Sequence, residues 1–206
     1  MTDDIQVLFN NFFDKTTSNF RIIGDSDLHL MTIFSIALEI KAKNILELGV
    51  RSGDTTEPLL CAAAINDGKL TSVDIQEIEW KCPDSLKCFW NPVKSEAIHY
   101  LNDDSDSYYD LIYVDDLHTY YHVKTELDII SKKIDSRSVI LLHDLMTWSD
   151  PNYFQPDTEK HNGTEWDGGG PYKAVSELDT SIWEWSTIPS NNGLTILRKR
   201  GEILHG

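Results

Sequence analysis

The chain has 206 residues, of which 40% are hydrophobic, and its 18 basic against 34 acidic side chains give a net charge of −16. This length predicts one domain of ordinary size, or one domain with a short cap, and the composition excludes a disordered chain. A surface this acidic repels nucleic-acid phosphates and anionic membranes, so we expect neither as a partner.

The cysteines and the N-terminal residues indicate the compartment. Cys61, Cys82 and Cys88 are odd in number and form no CxxC pair, which argues against a disulfide framework and against a structural zinc site. Asp3 and Asp4 stand where a signal peptide would carry basic residues, and no apolar run approaches the ~18 residues that a membrane helix needs. We therefore expect a soluble, cytoplasmic protein.

Residues 1–43 are predicted to form a helical cap, because apolar residues in the run 28–40 recur at helical spacing. From residue 44 onward, short apolar runs alternate with amphipathic segments. The predicted strands are Asn44–Val50, Lys69–Asp74, Cys88–Val93, Tyr109–Val114 and Ser138–His143. The predicted helices between them are Thr55–Ile65, Glu96–Leu101 and Tyr121–Lys132. This alternation is typical of βαβ units with right-handed crossovers, so the strand carboxyl ends should share one ligand-binding edge of a parallel sheet.

The end of the chain departs from this alternation. A helix is predicted at Gly170–Leu178, followed by strands at Ile182–Ile188 and Leu194–Lys199, and the connecting residues 189–193 have the composition of a turn. Two strands joined so closely form an antiparallel hairpin. The predicted fold class is therefore α/β: a doubly wound, mostly parallel, seven-stranded and Rossmann-like sheet with a C-terminal antiparallel hairpin and an N-terminal helical cap.

One long polar segment, residues 147–170, follows the fifth strand directly. Loops of this length in a compact domain are usually lids, binding loops or disordered segments, and this one should overhang the ligand edge as a lid-like loop. The predicted organisation is a cap at 1–43 and a ligand-binding domain at 44–206, together forming one compact unit.

A glycine turn leads from the first strand into the first helix of that domain. Gly49 permits a tight turn and close approach of a ligand to the backbone, and the helix that starts after Gly53 offers free N–H groups. A dinucleotide site would use G-x-G-x-x-G, whereas this chain has G-x-x-x-G. Glu47 before the turn suits a positively charged amino-acid ligand, and Asp74 at the end of the second strand suits the two hydroxyls of a ribose. The two glycines alone would also fit an ordinary strand-to-helix turn.

Carboxylates and imidazoles follow the fourth and fifth strands. Asp115, Asp116 and His118 come after one strand, and His143 and Asp144 end the other, so all five should converge at the ligand edge. Acidic groups this close repel one another unless a cation offsets them, and carboxylate oxygens with an imidazole suit Mg²⁺ or Mn²⁺. Each residue also has a structural alternative: the aspartates as helix or loop caps, His118 as a satisfied structural histidine, and His143 as a group that orients a ligand.

These segments resemble a known family over roughly residues 44–199. ILELGVRSGDTT and LTSVDIQ resemble motifs I and II of class I S-adenosylmethionine-dependent methyltransferases, and 92–95 is similar to the Gly-x-Ser element that contacts adenine there, although Pro92 and Val93 depart from it. The carboxylate cluster resembles the metal-dependent O-methyltransferases of the catechol type and of the macrolide-sugar type allied to cephalosporin hydroxylase. Asp116 replaces a glycine common in the sugar type, and His143 is a further departure.

The resemblance implies a role for each candidate residue. The implied contacts to S-adenosylmethionine are Glu47, Gly49, Gly53, Asp74 and Ser95. A divalent metal, Mg²⁺ or similar, would be held by Asp115, His143 and Asp144. The implied catalytic residues are Asp115, as metal ligand, and His118, the base that stands three positions later.

The predicted activity is divalent-metal-assisted O-methylation of a small-molecule hydroxyl, on a sugar or a phenol-like ring. The alternatives are a cephalosporin-hydroxylase-like or non-methylating relative that binds the same cofactor, a nicotinamide-binding oxidoreductase, and an acidic interaction module on the same scaffold. The absent third glycine and the terminal hairpin argue against the nicotinamide alternative. The sequence leaves open whether the protein forms a homo-oligomer.

Overall fold

The computed structural model of the protein describes residues 3–17, 26–105, 107–146 and 170–201, together with the backbone of 160–161 and 164–165. The helices are α1 Asp3–Thr17, α2 Leu30–Glu39, α3 Thr56–Ile65, α4 Ala97–Asp103, α5 Tyr120–Ile130 and α6 Gly170–Ser176. The strands are β1 Asn44–Leu48, β2 Lys69–Asp74, β3 Trp90–Lys94, β4 Leu111–Val114, β5 Val139–His143, β6 Lys160–His161, β7 Thr164–Glu165, β8 Trp183–Ile188 and β9 Leu194–Lys199. Two 3₁₀ segments lie at Asp27–His29 and Asp84–Phe89.

Seven strands form one sheet in the order β3-β2-β1-β4-β5-β9-β8. The first five strands of the chain pair in parallel, whereas β9 pairs antiparallel with both β5 and β8. The predicted fold class is confirmed, including the terminal hairpin. Because β1 lies between β2 and β4, the chain reverses its direction of travel across the sheet there, and the crevice at that reversal is where ligands bind in such folds.

The central strands are continuous apolar runs because both of their faces are covered. In β4 and β5 every residue is buried, as expected of a parallel sheet packed between two helical layers. One core cluster joins one face of the sheet to α1, α2 and α3, and a second joins the other face to α4, α5 and α6. Eight of the ten residues of α3 are buried, because α1 and α2 pack over its outer side.

The differences from the predicted elements have local causes. β1 ends at Leu48 instead of Val50, because Gly49 adopts a φ of +86° that no strand residue has. β3 begins at Trp90 instead of Cys88, because the 3₁₀ segment occupies the residues before it. The predicted lid-like loop at 147–170 falls almost entirely outside the described residues. Within the described part of the chain, no helix has both the length and the apolar character needed to cross a bilayer.

The packing of α1 generates a test of the predicted single compact unit. Phe12 is fully buried between Phe9 and Phe34, with ring centroids 5.1 and 5.2 Å away. We expect Phe12→Ala to lower the free energy of unfolding by about 3 kcal/mol, because the cavity adds to the lost transfer energy. Urea denaturation measures this change, and it should keep a single transition.

The matched control is Phe13→Ala, one residue further along α1, where the side chain is 42% exposed. Its effect should stay below about 1 kcal/mol. Two transitions in urea, of which Phe12→Ala abolishes only the earlier, would contradict the single unit. They would mean that α1 folds independently of the sheet.

Candidate functional site

The carboxyl ends of β1, β2, β4 and β5 frame two cavities. The larger, of about 670 Å³, is lined by the ends of β1, β2 and β4 and by the first turn of α4, and the smaller, of about 410 Å³, reaches β5 and the segment 26–27. Both cavities are lined by the same five residues, Gly49, Val50, Arg51, Asp115 and Asp116. They are therefore two parts of one cleft that meet at the glycine turn.

Gly49 is the point at which two strand ends touch. Its φ is +86°, and a Cβ there would lie 2.3 Å from the carbonyl oxygen of Asp115. The Gly49 N–H donates to the carbonyl of Val73 at 2.9 Å, which ties the turn to β2. Only glycine fits this position, because both the backbone conformation and the space exclude a side chain.

Gly53 has a different role from the predicted one. Its φ is +84°, and a Cβ would lie 2.4 Å from Cγ of Trp80. The residue lines neither cavity. It makes room for the indole of Trp80, so its contribution to a ligand site is indirect, through the packing of the turn.

Asp74 lines the larger cavity, but its carboxylate already accepts hydrogen bonds from three backbone N–H groups. Oδ2 accepts the N–H groups of Val50 and Arg51 at 2.9 and 3.0 Å, and Oδ1 accepts the N–H of Gln76 at 2.8 Å. The first two bonds hold Arg51 in a left-handed conformation with a φ of 50°. A carboxylate has roughly four acceptor positions, so about one stays available to a ligand, fewer than the predicted pair of ribose contacts needs.

Glu47 lies beneath the glycine turn, and its predicted contact with a ligand amino group stays a prediction. The side chain is fully buried and lines neither cavity. Its carboxylate accepts hydrogen bonds from the hydroxyls of Thr55, Thr56 and Ser72 at 2.6 to 3.1 Å. Burial raises the pKa of Glu47 to about 7, and the three hydroxyls oppose that shift.

Ser95 is placed at the cleft, as predicted. It lines the larger cavity, and its N–H donates to the carbonyl of Asp74 at 2.9 Å, which joins the ends of β2 and β3. Its hydroxyl donates to the carbonyl of Glu96 at 3.1 Å. The departure of Pro92 and Val93 from the family pattern therefore leaves this residue at the cleft wall.

The carboxylate and imidazole cluster converges at the ends of β4 and β5. Nε2 of His118 lies 3.2 Å from Oδ1 of Asp115 and 3.0 Å from Oδ2 of Asp144. Burial alone would lower the pKa of His118, but the two carboxylates raise it above its ordinary value. Burial alone would raise the pKa of Asp115, but the imidazoles of His118 and His143 hold it well below its usual range. The side chains of Asp115, His118 and Asp144 offer donor atoms within 4.8 Å of one another, close enough to hold a metal ion.

His143 lies beside the two carboxylates, so its predicted role as a metal ligand stays a prediction. It is fully buried, and its Nδ1 lies 3.4 Å from Oδ1 of both Asp115 and Asp144. Among the described residues neither ring nitrogen has a partner in hydrogen-bonding geometry. Burial opposes a charge on the ring, but the carboxylates raise the pKa of His143 to about 10. The carboxylates of Asp115 and Asp144 therefore lie between two imidazoles, of which His118 lines the smaller cavity and His143 is buried.

Residues that the sequence analysis missed hold this cluster in place. Oδ2 of Asp115 accepts the hydroxyl of Tyr113 at 3.0 Å and that of Ser26 at 3.4 Å. The ring of His29 packs edge-on against His143 with centroids 5.6 Å apart. Tyr113 lies in β4, two residues before Asp115. Because residues two apart in an extended chain point to the same side, the sequence could have revealed this contact. Ser26 and His29 come from the N-terminal region, and no sequence pattern joins them to the site.

Comparisons with known proteins were consistent with this geometry. Residues 46–145 match the family described as a methyltransferase domain. No curated protein matches the chain in sequence. The matched span includes the glycine turn, Asp74 and the cluster from Asp115 to Asp144, so the resemblance to class I S-adenosylmethionine-dependent methyltransferases is confirmed. These matches lend no support to the nicotinamide-binding alternative.

Solved structures share the fold at low sequence identity. The methyltransferase PaMTH1 of Podospora anserina, bound to S-adenosylhomocysteine, is 16% identical with a TM-score of 0.63, over 98% of this chain and 89% of that chain. The O-methyltransferase TomG of Streptomyces achromogenes, in complex with S-adenosylmethionine, is 13% identical with a TM-score of 0.60, over 98% and 91%. MycE of the mycinamycin pathway, in complex with Mg, S-adenosylhomocysteine and mycinamycin VI, is 14% identical with a TM-score of 0.64, over 100% of this chain and 57% of that chain.

The contact at Gly49 gives the second prediction. We expect Gly49→Ala to lower the free energy of unfolding by at least about 2 kcal/mol, because the left-handed conformation and the clash with the Asp115 carbonyl both oppose a methyl group. Gly201→Ala is the control, since a Cβ there meets no atom closer than 3.7 Å. Chemical denaturation of both variants measures the difference, and equal effects at the two glycines would contradict the argument.

The buried Glu47 gives the third prediction. Its pKa of about 7 in the folded protein exceeds the ordinary value near 4.5, so the folded state binds this proton more tightly than the unfolded chain. This contribution to stability is complete below pH ~4.5 and is lost as pH rises toward 7. Between about pH 5 and about pH 8, the free energy of unfolding of the wild type should fall by about 2 kcal/mol relative to Glu47→Gln.

Urea denaturation of both proteins at the two pH values measures this. The variant cancels the pH response of all other groups, because only residue 47 differs. Parallel pH profiles for the two proteins would mean that Glu47 is charged in the fold at low pH as well.

Proposed function

We propose that this chain transfers a methyl group from S-adenosylmethionine to a hydroxyl oxygen of a small molecule, with help from a divalent cation. The proposal builds on the match of residues 46–145 to a methyltransferase domain. The observation that carries the proposal is the convergence of Asp115, His118 and Asp144 beside Gly49, where the two cavities meet. A methyl donor in one cavity and an acceptor in the other would face each other at this point.

The larger cavity suits the adenosine part of the cofactor. Its volume of about 670 Å³ is in the usual range for small-molecule sites. The remaining acceptor position of Asp74 would accept a ribose hydroxyl, and Ser95 lines the same cavity. The neighbours PaMTH1 and TomG were solved with the product form and the substrate form of the same cofactor. The methionine part would lie at the glycine turn, where Gly49 lines both cavities.

The chemistry of the donor set fits a divalent cation. Asp115 and Asp144 would hold it through one carboxylate oxygen each. The hydroxyls of Tyr113 and Ser26 fix the Asp115 carboxylate from behind, as outer partners of metal ligands commonly do. Such a cation, when bound, lowers the pKa of a coordinated hydroxyl. MycE, a structural neighbour, was solved with Mg.

His118 would take the acceptor's proton. Its Nε2 lies between the carboxylates of Asp115 and Asp144, which strengthen its basicity and hold the ring in place. Once the hydroxyl loses its proton to this nitrogen, its oxygen attacks the methyl group and the sulfonium becomes a neutral thioether. Positioning of donor and acceptor and neutralisation of charge supply most of the rate enhancement. Acceptors with neighbouring hydroxyls, on a sugar or a phenol-like ring, suit the paired carboxylates.

Isothermal titration with S-adenosylmethionine, with and without Mg²⁺, tests the proposal. We expect the cofactor to bind in both conditions and methyl transfer to require the ion. Asp144→Asn should keep the cofactor affinity, because Asp144 lies outside the larger cavity. The same variant should lose about 100-fold or more of its methyl-transfer rate.

Asp84→Asn is the matched control, since Asp84 is exposed and pairs with Lys87 far from the cleft. It should leave cofactor affinity and transfer rate unchanged. No binding of S-adenosylmethionine would overturn methyl transfer altogether, whereas full activity in the presence of a chelator would overturn the metal-assisted version alone.

A further inference from the structure

A second cluster of metal-ligating side chains follows β4, and two of its members, Asp116 and His122, also line the larger cavity. Nε2 of His122 lies 2.8 Å from Oδ2 of Asp116 and 3.4 Å from Oε1 of Glu126. A third carboxylate, that of Glu96, approaches Nδ1 of the same ring at 3.9 Å. Donor atoms of Asp116, His122 and Glu126 all lie within 4.8 Å of one another.

The local sequence brings these three residues together. His122 and Glu126 are four residues apart on α5, so their side chains lie one turn apart on the same face. The hydroxyl of Thr119 caps α5 by accepting the N–H of His122 at 3.3 Å, which fixes the first turn of the helix. Asp116 stands in the short connection before that cap and reaches the same face.

Glu126 is the observation that points to a missing ligand. Its side chain is fully buried, and within the described part of the chain neither carboxylate oxygen has a hydrogen-bond partner. Oδ1 of Asp116 is also buried without one. Among the ion pairs of the described residues, both carboxylates pair only with His122. One imidazole shared between a fully buried and a partly buried carboxylate leaves acceptor positions that a cation would satisfy.

Two of the three spacings in this cluster are close to those of a tetrahedral metal site, and the third is within 4.8 Å. With metal–ligand bonds of about 2.0 to 2.1 Å, ligand atoms in a tetrahedron lie about 3.3 to 3.4 Å apart. The spacings of 2.8 and 3.4 Å around Nε2 require only small shifts. Because Mg²⁺ retains several waters and Glu126 is buried away from solvent, the site favours an ion that accepts imidazole and gives up its water.

We infer that Asp116, His122 and Glu126 bind a divalent transition-type cation such as Zn²⁺, at a site separate from Asp115 and Asp144. The ion ties Asp116, on the wall shared by the two cavities, to the first turns of α5. It thereby braces the connection that also carries Asp115 and His118. This role is structural and does not depend on which reaction the cleft performs.

The experiment counts ions in the full chain after removal of bound metal with a chelator. Zn²⁺ is titrated calorimetrically, and the retained metal is measured by mass spectrometry after dialysis. Asp144→Asn serves as the background, because it weakens the other candidate site. In this background we expect one Zn²⁺ to remain, and addition of Glu126→Gln or His122→Gln should lower its affinity by about 100-fold or more, since loss of even outer partners costs 10- to 100-fold.

His99→Gln is the matched control. His99 faces Asp103 at the same four-residue spacing on α4, 3.3 Å away, but both side chains are 70% exposed. It should leave the ion count and affinity unchanged. Circular dichroism of each variant establishes that it is folded before it is titrated.

The results that overturn the inference are distinct from any failure to fold. Absence of Zn²⁺ binding in the Asp144→Asn protein, whose second cluster is intact, would overturn it without use of the other variants. Unchanged affinity in folded His122→Gln would do so as well, and so would an equal loss in His99→Gln. None of these outcomes bears on whether S-adenosylmethionine binds, so the inference and the proposed function can fail separately.

Discussion

The contact between Gly49 and the backbone of Asp115 is the constraint on which the site depends. Where β1 ends, the backbone of residue 49 lies so close to Asp115 that a Cβ would be 2.3 Å from the Asp115 carbonyl oxygen. Only a residue without a side chain allows this approach. The Asp115 N–H donates to the carbonyl of Leu48, and the Gly49 N–H to that of Val73, so three strand ends are joined within a few residues. This junction places the glycine turn and the carboxylate cluster against the same cleft, and any side chain at residue 49 would separate them.

The protein holds its interior acids with imidazoles and hydroxyls. Glu47 is surrounded by three hydroxyl donors, and Asp115 lies between imidazoles and hydroxyls. Imidazoles and hydroxyls can reorient or change charge, whereas a fixed cation would neutralise the acids permanently. Glu126 differs from these acids, because within the described part of the chain its carboxylate oxygens have no hydrogen-bond partner.

Several residues expected to touch ligand instead support the surface that does. Glu47 lies below the turn, and Gly53 makes room for the indole of Trp80. The carboxylate of Asp74 accepts three backbone N–H groups of the neighbouring loops. Each side chain sits at the predicted strand end, but its hydrogen bonds run toward the protein. Pre-organisation of this kind reduces the ordering that a bound cofactor would otherwise require.

Much of the architecture was determined by local sequence. The alternation of apolar runs with amphipathic segments predicted the number and the type of the elements, because central parallel strands are buried on both faces and are therefore mostly apolar. The positions of Gly49, Asp74, Asp115 and Asp144 at strand ends followed from the same pattern. What only the tertiary structure decided is direction and depth: whether a carboxylate faces the cleft, as at Asp144, or the layer beneath it, as at Glu47. These depend on contacts between segments far apart in the chain, such as Ser72 with Glu47, and no local period encodes them.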